Sequence, residues 1–445
     1  LYDRPNGYNA PDGTTYSEAL KVPLMSTLQF DGVDYPDGIA SDPNVLGWMQ
    51  GDAAPDKIIR FSDDQFLNFP QLRWALSHMR ELVPTVNVWR GPGHRFDLGM
   101  PAPTDEATID EMLFDDLDGR RRCWADALID TYTDGIAVLH RGRLVYERYR
   151  GALRPELQHA CFSITKSYAA TLAATLVYQG VLDQNRTVQH YLPEMAGTAY
   201  ADATLRQVLD MQIGVAYSEL YSDPNAEIWA YSRAGGLRPR PADYRGANGF
   251  HEFLLTLRKE GEHGQAFAYK TVNTEVLCWV MLRATGRPLA EMMSRQLWSP
   301  LECEEDGYIC VDSEGVPMGG GGLSATLRDL ARFGELMRCD GASPDRQIVP
   351  EAVVADIRRG SDPQKFASAG YTLLRGYSYR NMWWVTHNEH DAFEARGIFG
   401  QRLYIAPGAE MVVARFASHP IAASAANDPI TMPSLIALGR MLRGY

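Results

Sequence analysis

The sequence predicts an α/β protein, a mostly antiparallel sheet flanked by helices, with an all-α region inserted into it. Three observations carry that expectation. In "GIAVLHRGRLVYERYRG", residues 135–151, two apolar runs flank a turn with glycine at 142, which is a β-hairpin pattern. Helical patterns with short loops then dominate to about Trp298. Strands return in "QRLYIAPGAEMVVARFAS" around Pro407-Gly408, followed by a last helix, "MPSLIALGRMLRGY".

Residues 1–60 are rich in Pro, Gly, Asp and Asn and read as an irregular N-terminal arm. Leu72, Leu76, Met79 and Leu82 then have the spacing of a helix after Pro70. The helix beginning near Ser163 runs to Gly180, which suits a left-handed cap. "ATLRQVLDMQIG", "FHEFLLTLRKEG" and "NTEVLCWVMLRATG" are further helices, and "PMGGGGLSATLRDLARFGELMRC" is a glycine-rich loop opening another. The expected division is an α/β domain over 61–190 and 310–445, with an all-α domain over 191–309.

The chain has 445 residues, of which 45% are hydrophobic and 22% charged, enough for a core without staples. A formal charge of −13 argues against nucleic acid as a partner. "GRRRCW", residues 119–124, reads as a solvated helix or loop face. Six cysteines without CxxC spacing do not make a disulfide scaffold; Cys303 and Cys310 could bridge a loop, but buried free thiols are the favoured reading. No run of 18 apolar residues exists, so the expectation is a soluble protein that spans no membrane. No signal peptide is visible and the chain begins at Leu1, so the compartment is cytoplasmic or, if an export signal was removed, periplasmic. "HNEHD", with His387 and His390, reads as a surface loop and not a metal site, for want of further ligands. Gly319–Gly322 lacks the GK[ST] of a phosphate loop and serves as a backbone lining the active site or as a flexible turn. GxSxG and HExxH are both absent.

The chemistry centres on "CFSITKSYAATLAATLVYQG". Ser163 and Lys166 lie three apart near a helix start, so their side chains meet. Ile164, Tyr168, Leu172 and Leu176, with four alanines between them, make a helix that can be buried all round. Burial and the helix dipole should push the Lys166 amine towards its neutral form, able to take a proton from Ser163. Tyr269 and Asn273 precede a second helix; Tyr269 could ionise or relay a proton, and Asn273 could orient Lys166 or a substrate carbonyl. Gly397 and Gly400 flank Ile398 and Phe399 at a strand edge that could approach Ser163 closely and supply an oxyanion N–H.

Taken in order, Ser-x-x-Lys, Tyr with Asn, and a glycine-flanked strand resemble the penicillin-recognising serine hydrolases. Within that group "SITKS", "VLDMQI…Y…Y", "Y-x-x-x-N-T-x-V-L-x-W", "SAT-x-RDLAR-x-G" and "GQ-x-L-x-I-x-P" resemble the 6-aminohexanoate-dimer hydrolase family, over roughly residues 130–420. The resemblance implies a β-lactamase-like fold and no cofactor. It makes Ser163 the nucleophile, Lys166 its base, Tyr269 the proton relay and Tyr221 a contact to the scissile amide. The oxyanion donors would be the N–H groups of Ser163 and Ile398. Asn273, Phe399 and Gly400 would border the substrate, and Ser232 and Leu237 would be further candidates on the leaving-group side. Phe399 stands where relatives carry Lys or His, which implies weak β-lactam turnover and an apolar or neutral acyl pocket. The expected activity is hydrolysis of a small-molecule linear amide or ester, by a chain that could form a homodimer. The alternatives are a β-lactamase or D-Ala-D-Ala carboxypeptidase, and a catalytically silent binding protein.

Overall fold

A computed structural model describes residues 27–444 apart from residue 31; residues 1–26 of the expected arm lie outside the described residues. The expected hairpin is present as β1 (Thr133–His140) and β2 (Arg143–Tyr149). Arg141 and Gly142 both take positive φ, 53° and 77°, in the tight turn that joins two right-twisted strands. Five later strands complete the sheet: β3 (Ser378–Arg380), β4 (Trp383–Val385), β5 (Phe393–Gly397), β6 (Gln401–Ala406) and β7 (Met411–Ala417). Their order is β3-β4-β5-β6-β7-β1-β2, antiparallel throughout.

Side chains alternate across this sheet, and each face has its own core. Ala137, Leu139, Leu403 and Val412 face the helices α1 (Ile164–Tyr178) and α3 (Leu327–Arg338). Ile136, Val138, Tyr404 and Val413 face Trp124, Leu128 and the terminal helix α4 (Asp428–Arg443), through Leu435 and Leu438. Between α1 and α3 in sequence come the short helices and α2 (Val272–Thr285) of the helical region. The result is the predicted sheet with helices on both faces and a helical insertion.

A second sheet joins Thr85–Val88, Gly307–Cys310, Leu323–Ala325 and His159–Ala160, and sets the turn before α1. The expected domain boundary at residue 310 falls inside one of these strands. The described part of the arm holds a small hairpin, Thr27–Phe30 with Val33–Pro36, and is thus not wholly irregular.

The helix expected over Leu72–Leu82 is broken. Leu72–Ala75 is one helical turn, and a 3-10 turn follows at Met79–Glu81. Between them His78 leaves helical geometry at φ −133°, its ring stacked on Trp74 at 4.0 Å and Nδ1 2.8 Å from the Trp74 carbonyl. A side chain that takes a backbone carbonyl competes with the helix. "GRRRCW" contains a short strand, Arg121–Cys123, with Arg122 paired to Asp116 and Asp130. "HNEHD" is an exposed loop at His387, Glu389 and Asp391, as expected, but His390 turns inward beneath α4 with Nε2 3.1 Å from the Ile436 carbonyl. All six cysteines are free.

Candidate active site

The Ser163 turn is held from three directions. Ala160 N–H donates to the Leu76 carbonyl at 2.7 Å, Cys161 N–H to the Leu323 carbonyl at 2.8 Å, and Thr165 Oγ1 accepts from Leu323 N–H at 3.1 Å. Phe162 takes φ 44°, a conformation L-residues rarely adopt, directly before the serine. α1 then starts at Ile164 and runs buried through Leu176. Its alanines admit close neighbours on every side, and Tyr168 stacks on Phe333 at 3.7 Å.

Lys166 lies one turn into α1, 1% exposed, and reaches back towards the serine. Its Nζ donates to Ser163 Oγ at 2.9 Å and to the Gly320 carbonyl at 2.5 Å. Desolvation lowers the amine's pKa from the usual lysine range to about 8, while the Glu219 and Glu275 carboxylates act in the opposite sense. At pH 7 about a tenth of the amine is then neutral, so the expectation of an uncharged lysine is corrected to a poised one.

Tyr269 comes to the same place: Lys166 Nζ sits 5.1 Å from its ring centroid, and the ring stacks on Trp384 at 5.4 Å. Burial raises the phenol well above its ordinary pKa, Glu219 adds to this, and a hydrogen bond involving Ser163 works against it. The phenol therefore keeps its proton, which argues against the phenolate of the two expected roles.

Tyr221 joins through Glu219. The Tyr221 hydroxyl donates to Glu219 Oε1 at 2.9 Å, and Glu219 accepts from Thr271 N–H and Oγ1, both at 2.6 Å. One carboxylate thus ties the Tyr221 loop to the turn that carries Tyr269. A second carboxylate, Glu275, lies on α2 and accepts from Gly319 N–H at 3.0 Å, Gly320 N–H at 2.8 Å and the Tyr231 hydroxyl at 2.6 Å. The four-glycine run is accordingly a lining backbone, its Gly320 carbonyl on the lysine.

The end of β5 approaches as the glycines suggested. A Cβ on Gly397 would stand 2.7 Å from the Cys161 carbonyl oxygen. Among the described residues the N–H groups of Ser163 and Ile398, each at the start of a helical turn, donate to no backbone group outside the helices and strands, as an oxyanion pair would require. Gly397→Ala is therefore expected to push the strand edge from the serine turn and slow acylation by about 10- to 100-fold. Timed labelling with a fluorophosphonate probe measures this, and wild-type labelling would contradict the close approach.

The remaining expected site residues make other contacts. Asn273 does not touch Lys166; its Oδ1 accepts from Tyr200 at 2.7 Å and its Nδ2 donates to Met211 Sδ at 3.1 Å, inside the helical region. Phe399 is buried with φ 61°, its ring 5.5 Å from that of Phe162 in a cluster with Phe66, Leu72 and Trp74. Gly400 is turned towards β7, where its carbonyl accepts from Arg415 Nη1 at 2.8 Å. Ser232 bonds its own helix at the Ile228 carbonyl, and Leu237 packs between two core clusters.

Glu219, Glu275 and Trp384 are the site residues that sequence reasoning did not single out. Glu275 occupies the unspecified position of "N-T-x-V-L", and the adjoining glycine run was the available signal.

An antiparallel sheet between helices, with a serine and a buried lysine in contact at a helix start, defines a β-lactamase-like serine hydrolase. The chain belongs to the Beta-lactamase family, whose model matches residues 125–431. It is 33% identical to 6-aminohexanoate-dimer hydrolase of Paenarthrobacter ureafaciens over 391 residues, 87% of this chain and 91% of that protein. A solved Bacillus anthracis protein, described provisionally as a 6-aminohexanoate-dimer hydrolase, superposes with a TM-score of 0.79 at 29% identity. That match covers 86% of this chain and 97% of the other. A family VIII carboxylesterase superposes at 0.55 with 17% identity, covering 77% and 98%, which is a likeness of fold alone. The protein is a serine hydrolase. Among the described residues no helix is long and apolar enough to cross a membrane, and no group of three metal-ligating side chains forms.

Proposed function

We propose that the protein hydrolyses linear amides or esters through an acyl-enzyme on Ser163. The observation that carries this is the 2.9 Å contact between Ser163 Oγ and a buried amine whose pKa is lowered to about 8. In its neutral form Lys166 takes the hydroxyl proton as Oγ attacks the substrate carbonyl. The oxyanion accepts from the N–H groups of Ser163 and Ile398. The proton passes from Lys166 by way of Tyr269 to the leaving nitrogen or oxygen, Tyr221 facing that group, and water then releases the acid by the same path reversed. No cofactor enters this scheme.

Phe399 and Arg396 favour this reading over a β-lactamase or D,D-peptidase. Relatives of those kinds hold a substrate carboxylate near the third motif, where this chain places a buried phenylalanine ring. The adjacent cation, Arg396, is committed to Glu394 at 3.0 Å and Asp428 at 2.5 Å. An aromatic wall of Tyr269, Tyr379 and Trp384 suits a neutral or apolar acyl chain.

The experiment is a substrate panel of 6-aminohexanoate oligomers, p-nitrophenyl esters of graded chain length, a cephalosporin and a D-Ala-D-Ala peptide. Turnover of the first two groups should exceed that of the last two by at least about tenfold. kcat/KM should rise with pH towards a limb near 8, because loss of the lysine proton creates the base. Preferred turnover of the cephalosporin or the D-Ala-D-Ala peptide would reverse the assignment.

A further inference from the structure

The four-glycine loop and Glu275 have a joint role that the hydrolytic scheme above does not use. Glu275 is 3% exposed, at the start of α2, and its two oxygens grip consecutive peptide N–H groups, Gly319 and Gly320. The Tyr231 hydroxyl holds the same carboxylate from the helical region. With both N–H groups pinned, the following carbonyl, that of Gly320, is aimed at Lys166 Nζ.

A neutral amine has two N–H bonds and one lone pair. An N–H spent on the Gly320 carbonyl helps turn the lone pair towards Ser163 Oγ. Only glycine permits this approach: a Cβ on Gly320 would stand 2.3 Å from Thr271 Cγ2 and 2.8 Å from Glu275 Oε1, and one on Gly319 2.2 Å from Cys278 Sγ.

We propose that Glu275 is a positioning residue for Lys166, acting through the Gly319–Gly320 backbone to fix the amine on the serine. This rests on the assignment of Lys166 as the base. Burial raises the Glu275 pKa, while the Tyr231 hydroxyl, the Gly320 and Gly319 N–H groups and Lys166 favour its ionised form. The lysine is faced by Glu275, Glu219, Tyr269 and Ser163, and Glu275 in turn by Tyr231, Tyr217 and Cys278. A carboxylate this near favours the ammonium, so Glu275→Gln should move the acid limb to lower pH while loosening the loop.

The test is E275Q and E275D, with active sites counted by fluorophosphonate and kcat measured per labelled site. E275Q should lose about 10- to 100-fold in kcat with KM little changed, and its acid limb should move to lower pH. E275D keeps the charge but not the reach, so it should lose kcat with the limb in place. A merely structural role would lower Tm and the fraction labelled, leaving kcat per site and the limb unmoved; that result overturns the proposal. Should E275Q not fold, Tyr231→Phe removes one bond from the carboxylate, and a two- to tenfold loss of kcat per site, roughly, is expected. An unaltered kcat per site and limb in Y231F also overturns it. A wild-type enzyme that carries no probe on Ser163 overturns the hydrolytic scheme itself, whereas labelled wild type with unaltered E275Q overturns only the role of Glu275.

Discussion

Ser163→Ala is expected to lower turnover by at least about 10³-fold and to abolish labelling by a fluorophosphonate probe. The hydroxyl is the group that Lys166 contacts at 2.9 Å, and no attack on a carbonyl can begin there without it. Ser163 is half-buried and its side chain does not cap α1, but its removal takes an acceptor from the buried Lys166 amine, so stability should fall by only about 1–2 kcal/mol while the chemistry is lost. Substrate should still bind, since Tyr221, Tyr269 and the aromatic wall are untouched. An alanine variant that hydrolyses at the wild-type rate, or that the probe still modifies, would remove Ser163 from the reaction.

The parts of this site that could be read from the sequence are those that local spacing places. Ser163 and Lys166 share one helical turn, and the β1–β2 turn needs the glycine that stands there. The alanines of α1 announce a helix with neighbours on all sides. The two carboxylates were not legible for the opposite reason. Glu219 in a polar loop and Glu275 at a helix start both resemble ordinary solvated acids. Only the meeting of α2 with the Gly319–Gly320 loop, 44 and 45 residues away in sequence, reveals what Glu275 binds.

Asn273 shows the same limit from the other side. Its place after Tyr269 suggested a contact with the lysine, but residue 273 points to Tyr200, 73 residues earlier in sequence. Phe399 likewise has a role set by backbone geometry: at φ 61° its ring enters the cluster beneath the serine turn. Periodicity misled over Leu72–Leu82 because two short turns bury the same residues that one helix would, and the Trp74–His78 stack that separates them leaves no trace in apolar spacing.

Lys166→Met should eliminate nearly all turnover, by about 10³-fold or more, and yet make the protein more stable at pH 7. The sign follows from the direction of the pKa change. Folding lowers this lysine from 10.5 to about 8, so between those values the unfolded chain binds a proton that the folded chain does not. The native state therefore gains stability as pH rises through that window, and below it carries the full penalty of a buried ammonium. At about 1.4 kcal/mol per pH unit the penalty is on the order of 3 kcal/mol. Methionine fills a similar volume without charge but leaves the Gly320 carbonyl without its donor, at a cost of about 1–2 kcal/mol. The expected balance is a gain of about 1–2 kcal/mol at pH 7, shrinking to nothing or reversing by about pH 10 as the native lysine becomes neutral. Denaturant melts of both proteins at pH 7, 8.5 and 10 measure the difference directly. A difference in stability that does not change across those pH values would mean that Lys166 is not held at a lowered pKa, and the account of how Ser163 loses its proton would fall with it.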